Sequence, residues 1–195
     1  MREFSIDIAE TRLQAIRDRL AAFCWEAVPG IAGWGAGASR SFMAEVADYW
    51  LNRFDWRVQE AMLNRFPQFI ASVDGMDLHT YHVRSPEPAA RPLLLLHGWP
   101  GSVFEFLHII EPLVDPRRHG GDPADAFHVI VPSLPGYGFS GRPAQPIGPA
   151  EVARLLAKLM VQVLGYDSYV AQGGDWGAVI SSMIDSGARS TTRAR

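Results

Sequence analysis

The spacing of apolar residues changes from a helical to a strand-like period about one third of the way along the chain. In the leading segment, residues 1–66, apolar side chains first recur at intervals of three and four, which places them on one face of a helix. They are Leu13, Ile16, Leu20 and Phe23. A second helix is predicted over about 41–54, and a third begins after Asp55, a residue type that caps helix N-termini. The leading segment is therefore predicted to be helical, with a Gly- and Trp-rich loop at 28–40 and with its tryptophans packed against the core.

Beyond Pro67 the pattern indicates strands that alternate with helices. Two short runs flank Asp74-Gly75, a dipeptide typical of tight hairpin turns. The next runs are continuously apolar and end in turn residues, as in strands buried on both faces of a parallel sheet. The clearest is "RPLLLLHGWPG", "AFHVIVPSLPG" is interpreted as another buried strand, and "DSYVAQGG" is predicted to be the next strand. We therefore predict an α/β fold over 67–187, with a mainly parallel sheet and an antiparallel N-terminal hairpin, followed by an irregular basic tail at 188–195.

Functional loops of parallel sheets follow the carboxyl ends of the strands, and three such loops are expected to meet here. They are 97–102 ("HGWPGS"), 132–143 ("PSLPGYGFSGRP") and 173–177 ("GGDWG"). Each contains glycine and begins where an apolar run ends. The candidate chemistry therefore lies at this edge of the sheet.

The loop 173–177 has the form of a nucleophile elbow, a tight turn between a strand and a helix that lifts its middle side chain out of the sheet. Gly173, Gly174 and Gly177 surround Asp175, and glycine lets the strand and the helix approach closely. A carboxylate is ionised at pH 7 and can attack an electrophilic carbon without a base. The motif alone does not separate this role from that of a helix N-cap, which is common for aspartate.

The loop 97–102 offers the second part of such a site. A His-Gly pair at a buried strand end positions a backbone N–H for an oxyanion hole, which here is the N–H of Trp99, next to Gly98. Together with the N–H of Trp176 it would stabilise charge on the Asp175 ester. His97 is interpreted as a structural histidine rather than a base. The residues that follow are candidates for the pocket wall, with core packing as the alternative for the two phenylalanines: Pro100, Phe104 and Phe106.

Composition narrows the possible functions. The 195 residues are 48% hydrophobic and carry a net charge of −3, which gives no basic field for nucleic acid. Cys24 is the single cysteine, and neither an apolar signal sequence nor a run of about 18 apolar residues is present. A cytoplasmic protein without a membrane span is therefore expected, and its oligomeric state stays open. Metal and phosphate motifs are absent from the sequence.

Several of these stretches together resemble microsomal-type epoxide hydrolases of the α/β-hydrolase fold. The similar stretches are "DYWLNRFDWRVQEAMLNRFPQF", "DGMDLHTYHVRS", "LLLLHGWPGSVFEF", "FHVIVPSLPGYGFS" and "YVAQGGDWG". The resemblance implies that Asp175 opens a small hydrophobic epoxide to an ester, which water hydrolyses to a vicinal diol. It implies oxyanion-hole roles for Trp99 and Trp176, and neither a cofactor nor a metal.

The family pattern also includes a late histidine, its acidic partner and two lid tyrosines, all C-terminal to the elbow. All six histidines of this chain precede Asp175, and so do all five tyrosines. We therefore expect that the lid and the C-terminal half are missing and that the chain alone is weakly active or inactive.

Two alternatives remain at this stage. Another hydrolase with an aspartate nucleophile, such as a haloalkane dehalogenase, also carries Asp-Trp at its elbow, although the long leading segment and "HGWPGS" argue against it. A non-catalytic, truncated remnant is the second alternative. Its supporting feature is the missing C-terminal half.

Overall fold

The computed structural model of the chain describes residues 1–28, 33–35 and 37–191, with side chains described up to residue 184. The predicted Gly- and Trp-rich loop around 28–40 and the end of the predicted tail, 192–195, lie partly or wholly outside the described residues. The strands are β1 (Arg2–Glu3), β2 (Gln68–Val73), β3 (Met76–Val83), β4 (Arg91–Leu96), β5 (Phe127–Pro132) and β6 (Val170–Gly173). The helices are α1 (Glu10–Ala21), α2 (Arg40–Asn52), α3 (Trp56–Leu63), α4 (Leu107–Val114), α5 (Pro149–Lys158) and α6 (Trp176–Thr191).

The strands form one mixed sheet in the order β1-β2-β3-β5-β4-β6. The pairs on the β1 side are antiparallel, whereas β4 pairs with both β5 and β6 in parallel. The hairpin turn is the predicted one, since Asp74 and Gly75 have φ of 50° and 80°, as a type I′ turn requires. The predicted α/β architecture with an N-terminal antiparallel hairpin is therefore confirmed.

The core of the sheet lies between the strands and the helices α5 and α6. Leu94 and Leu96 of β4 are fully buried, and they belong to one cluster with Leu156 of α5 and Ile180 of α6. The helix α5 begins with Pro149 in its first turn, and a short π-helical extension follows it. Gly165 ends this helical stretch with φ 74°, a left-handed conformation that favours glycine. Both ends of this helical stretch thus carry residue types that favour a helix boundary.

The chain divides into two compact units. One is Ile6–Met62, which contains the helices α1 and α2 and most of α3. The other comprises Met1–Ser5 and the residues from Leu63 onward. The predicted helical segment 1–66 differs from the first unit at both ends. At the N-terminal end the reason is β1, a strand too short for a sequence pattern, which pairs with β2.

Within the unit Ile6–Met62 a polar cluster joins the chain before α1 to α3. Glu60 is 8% exposed and accepts hydrogen bonds from the Ile8 N–H at 2.8 Å and the Trp56 indole N–H at 3.0 Å. Arg57 donates to the same carboxylate at 2.6 Å and to Glu10 at 3.1 Å. Asp55 accepts from the Arg57 N–H at 2.8 Å, which confirms its predicted capping role.

Two expectations, one for this part of the sequence and one for the C-terminal tail, need correction. The tryptophans of the leading segment were expected to be packed, but Trp34 is 61% exposed and Trp50 is 46% exposed. The tail 188–195 was predicted to be irregular, yet α6 extends through Thr191, because the sequence after the last apolar residues contains no proline to stop a helix.

In the described part of the chain, no helix is both long and apolar enough to cross a membrane.

Candidate active site

Two parallel strands end side by side at the candidate site. In the register of β4 and β6, Leu96 lies opposite Gly173, so the loops that begin at His97 and Gly174 leave the sheet together. This register follows from the buried apolar run of β4, whose residues Leu93–Leu96 pair with Val170–Gly173. The loops 97–102 and 173–177 therefore meet, as the sequence predicted.

The turn at Asp175 has the strained geometry of an elbow. Asp175 has φ 53°, one of two positive values among the described non-glycine residues. A side chain at Gly177 would overlap the carbonyl of Leu96, and one at Gly173 would overlap the backbone of Gly177. At Gly174, by contrast, an added Cβ would meet nothing within 4 Å. Close approach of strand and helix thus requires glycine at 173 and 177, but not at 174.

The Asp175 side chain is exposed and is held by main-chain donors. The Trp99 N–H donates to its Oδ1 at 2.8 Å. Hydrogen bonds from the backbone amides of Trp99 and, secondly, Trp176 lower the pKa of Asp175 from its ordinary value of 3.8. The predicted amides therefore both face the predicted carboxylate, which is ionised at neutral pH. Gly98 lies directly behind it, because a side chain at 98 would overlap that of Asp175.

His97 connects the loop 97–102 to the loop 132–143. It is 1% exposed, its Nδ1 lies 3.0 Å from the carbonyl oxygen of Gly98, and its Nε2 accepts the Leu134 N–H at 3.1 Å. Because a carbonyl oxygen can only accept, the proton is on Nδ1 and the ring is neutral. Burial lowers the pKa of His97, while the Gly98 carbonyl opposes this effect. Both nitrogens are therefore occupied, which supports the structural interpretation of His97.

The remaining predicted wall residues do not share one environment. Pro100 is exposed, and the Trp99-Pro100 peptide bond is cis. Phe104 is 40% exposed, whereas Phe106 is 9% exposed and packs in the interior. A capping box between Ser102 and Glu105 fixes the start of the helical turn that carries both phenylalanines. Pro100 and Phe104 are therefore accessible for substrate contact, whereas Phe106 is not.

Sequence reasoning missed a buried polar network that fixes the third loop. His79 is fully buried, with Nδ1 at 2.9 Å from Ser133 Oγ and Nε2 at 2.8 Å from Gln68 Oε1. Ser140 Oγ donates to the Ser133 carbonyl at 2.6 Å and accepts the His79 N–H at 3.0 Å. Burial lowers the pKa of His79 to about 4. The sequence feature that could have revealed this network is His79 itself, a histidine among the apolar residues of β3.

Carboxylates and imidazoles are not grouped for metal binding at this site. Among the residues that the structure describes, no three His, Cys, Asp or Glu side chains lie close enough together to hold a metal ion.

A sheet that ends in an elbow, with a second strand-end loop supplying a backbone donor, defines the class of α/β-hydrolase folds. Comparison with known families gives the same class and a particular family. The family described as "Epoxide hydrolase N terminus" matches residues 1–106, and "alpha/beta hydrolase fold" matches residues 91–184. The chain belongs to the epoxide hydrolase family.

Individual relatives agree with this assignment. A Stigmatella aurantiaca protein whose name assigns it to the epoxide hydrolases is 46% identical over 182 residues, covering 93% of this chain and 41% of that protein. Epoxide hydrolase 1 of Sus scrofa is 36% identical and is covered to 40%. The crystal structure of juvenile hormone epoxide hydrolase from Bombyx mori is 34% identical with a TM-score of 0.83, covering 95% of this chain and 49% of that one. The chain thus spans about two fifths of the length of these curated relatives.

Proposed function

We propose that this chain carries the nucleophilic half of an epoxide hydrolase site, with Asp175 as the nucleophile. The observation on which the proposal depends is the 2.8 Å hydrogen bond from the Trp99 N–H to Oδ1 of an exposed carboxylate at a positive-φ elbow position. A capping aspartate needs only donors of its own helix, whereas Trp99 belongs to a different loop. The geometry therefore favours a functional carboxylate over a simple N-cap.

In the first step an oxygen of Asp175 attacks a carbon of the epoxide ring. A bond forms between that carbon and the carboxylate oxygen, and the ring C–O bond breaks. The ring oxygen keeps the electron pair and takes up a proton, which gives a hydroxyalkyl ester. Because Oδ1 is bound to Trp99, we infer that Oδ2 attacks and that Oδ1 becomes the ester carbonyl oxygen.

In the second step water attacks the carbonyl carbon of the ester. Negative charge then develops on Oδ1, to which the Trp99 amide donates, and the Trp176 amide also hydrogen-bonds the Asp175 carboxyl group, so that these donors stabilise the tetrahedral intermediate. Its collapse releases the vicinal diol and restores the carboxylate. The proton of the water needs a base, and His97 does not supply it because both of its nitrogens are engaged.

A haloalkane dehalogenase is the competing function with the same nucleophile. The match of residues 1–106 to the epoxide hydrolase N terminus favours the epoxide. Incubation with styrene oxide or with a short chloroalkane separates them, by diol formation or by chloride release. Chloride release with no reaction of the epoxide would overturn the proposal.

The nucleophile itself is tested by peptide mass spectrometry after incubation with styrene oxide. We expect one adduct, on the peptide that contains Asp175, and none in Asp175→Asn. Asp77→Asn is a suitable control, because Asp77 is an exposed aspartate on β3 outside the elbow. An adduct that persists in Asp175→Asn would exclude Asp175 as the nucleophile. Repeated turnover by the chain alone would contradict the expected weak activity.

A further inference from the structure

The unit Ile6–Met62 contains a cavity that the proposed chemistry does not use. Its volume is about 310 Å³, at the lower end of the range for small-molecule sites. It lies between α1, the end of α2 and the start of α3. The lining residues are Ile8, Arg12, Leu13, Ile16, Arg17, Trp50, Phe54 and Trp56.

The walls of this cavity are apolar and ordered by contacts of their own. Trp56 is fixed by the hydrogen bond from its indole N–H to Glu60 at 3.0 Å. Trp50 and Phe54 meet edge to face with their ring centroids 6.3 Å apart. Leu13 and Ile16 of α1 complete the apolar surface and are only half-buried. The cavity is therefore a preformed site for an apolar group rather than a gap that side chains fill.

Two arginines give the lining a positive charge. Arg12 and Arg17 are exposed, and among the described residues neither side chain has a hydrogen-bond or ion-pair partner. Three acids of the same unit have other partners. Glu10 and Glu60 both bind Arg57, and Asp18 accepts a hydrogen bond from Gln14 at 2.8 Å.

An apolar cavity with two unpaired guanidinium groups and no acidic side chain fits an amphipathic anion. We propose that this cavity binds a medium-chain carboxylate, whose alkyl chain lies against Trp50, Phe54 and Trp56. The carboxylate binds to Arg12 and Arg17, because guanidinium and carboxylate form charge-assisted hydrogen bonds. A volume of about 310 Å³ matches an alkyl chain of moderate length. This site is independent of Asp175 and of the proposed hydrolysis.

The test is a titration of the full, isotopically labelled chain with decanoate, below its micelle concentration, followed by NMR and calorimetry. We expect saturable binding that shifts the indole N–H resonances of Trp50 and Trp56, and leaves those of Trp99 and Trp176 unchanged. The indole signals are assigned with single Trp→Phe variants. Shifts confined to Trp99 or Trp176 would overturn the proposal.

Charge and shape are tested separately. The double change Arg12→Gln and Arg17→Gln is expected to weaken decanoate binding about tenfold or more, since two charge-assisted hydrogen bonds are lost. Arg19→Gln is the matched control, as Arg19 is exposed on the same helix but does not line the cavity. All three arginines are on the surface, so these variants are expected to fold.

The neutral probe 1-octanol is expected to bind more weakly than octanoate, and the difference between them should vanish in the double variant. Equal affinity of octanol and octanoate for the unaltered chain would contradict the role of the arginines. Ile16→Asp, which places a negative charge within the cavity, is expected to abolish carboxylate binding. Unchanged binding in Ile16→Asp would show that the cavity is not the site.

Discussion

The two units of the chain reach their structures by different means. In the sheet unit, Leu94 and Leu96 are fully buried and belong to one apolar cluster with residues of α5 and α6. In the unit Ile6–Met62, α1 buries none of its residues and α2 buries only Ala47. The hydrogen bonds and ion pairs around Glu60 therefore contribute a larger share of the contacts that hold this unit together. Apolar periodicity thus predicts helices in both units, but it predicts a deep core only in one.

The largest difference between the units is expected from removal of apolar side chains. Leu94→Ala empties a fully buried position of β4 and should lower the free energy of unfolding by about 2–5 kcal/mol. Val46→Ala on α2, where the side chain is 39% exposed, should cost less than about 1 kcal/mol. Chemical denaturation measures both. Equal losses would show that the helical unit has a core of comparable depth.

Two glycines of the elbow loop, Gly177 and Gly174, allow a comparison between a crowded and an open position. Gly177→Ala forces a Cβ into the carbonyl of Leu96 and should destabilise the sheet unit by about 1–3 kcal/mol. Gly174→Ala, directly before Asp175, is the control, because an added Cβ at Gly174 would meet nothing within 4 Å. Thermal melts of both variants would contradict the close strand–helix approach if they coincide.

Acid should affect the sheet unit through its buried histidines. Burial lowers the pKa of His79 and of His82 to about 4 from 6.5, so the folded state binds fewer protons than the unfolded state between these values. The stabilising contribution of these two histidines is therefore fully present above pH 6.5, and it is lost as the pH drops towards 4. For His79 the loss between pH 7 and pH 5 should be roughly 1–2 kcal/mol. Denaturation curves at several pH values measure it, and His79→Gln should flatten their pH dependence. Stability that stays constant from pH 7 to 5 would contradict this account.

The smallest expected effect concerns the polar cluster of the helical unit. Glu60→Gln weakens the acceptor for the Ile8 N–H and the Arg57 guanidinium, and should cost about 1 kcal/mol. Hydrogen exchange should become faster at Ile8 and in α3 while β4 stays protected. Glu45→Gln, at an exposed position of α2, is the control. Faster exchange in β4 as well would mean that the two units unfold together.

Local chemistry explains which parts of the fold could be predicted. Asp74-Gly75 allows few turns, and the run Leu93–Leu96 can only be a buried element, so the hairpin and β4 followed from the sequence. The exposure of Trp50 could not be predicted, because periodicity gives the face of a helix but not what covers it. The pairing of β1 depends on a partner more than 60 residues away, which no local pattern reveals.

The candidate site shows the same limit. The elbow and the two amide donors follow from short motifs whose glycines have a steric purpose, and the structure places Trp99, Asp175 and Trp176 together. The network of His79 and Ser133 joins residues 54 positions apart in the chain. Only the three-dimensional fold, which brings β3 and the loop after β5 side by side, creates this network.

The central claim is that the elbow presents an accessible carboxylate that two main-chain amides keep ionised. The most direct test is the ¹³C resonance of the Asp175 side-chain carboxyl group, assigned by its absence in Asp175→Asn and followed from pH 7 to pH 3. Because the amides of Trp99 and Trp176 lower the pKa of Asp175 from its ordinary value of 3.8, the carboxyl group should still be more than half ionised at pH 3.8. A titration midpoint at or above 3.8 would contradict the account.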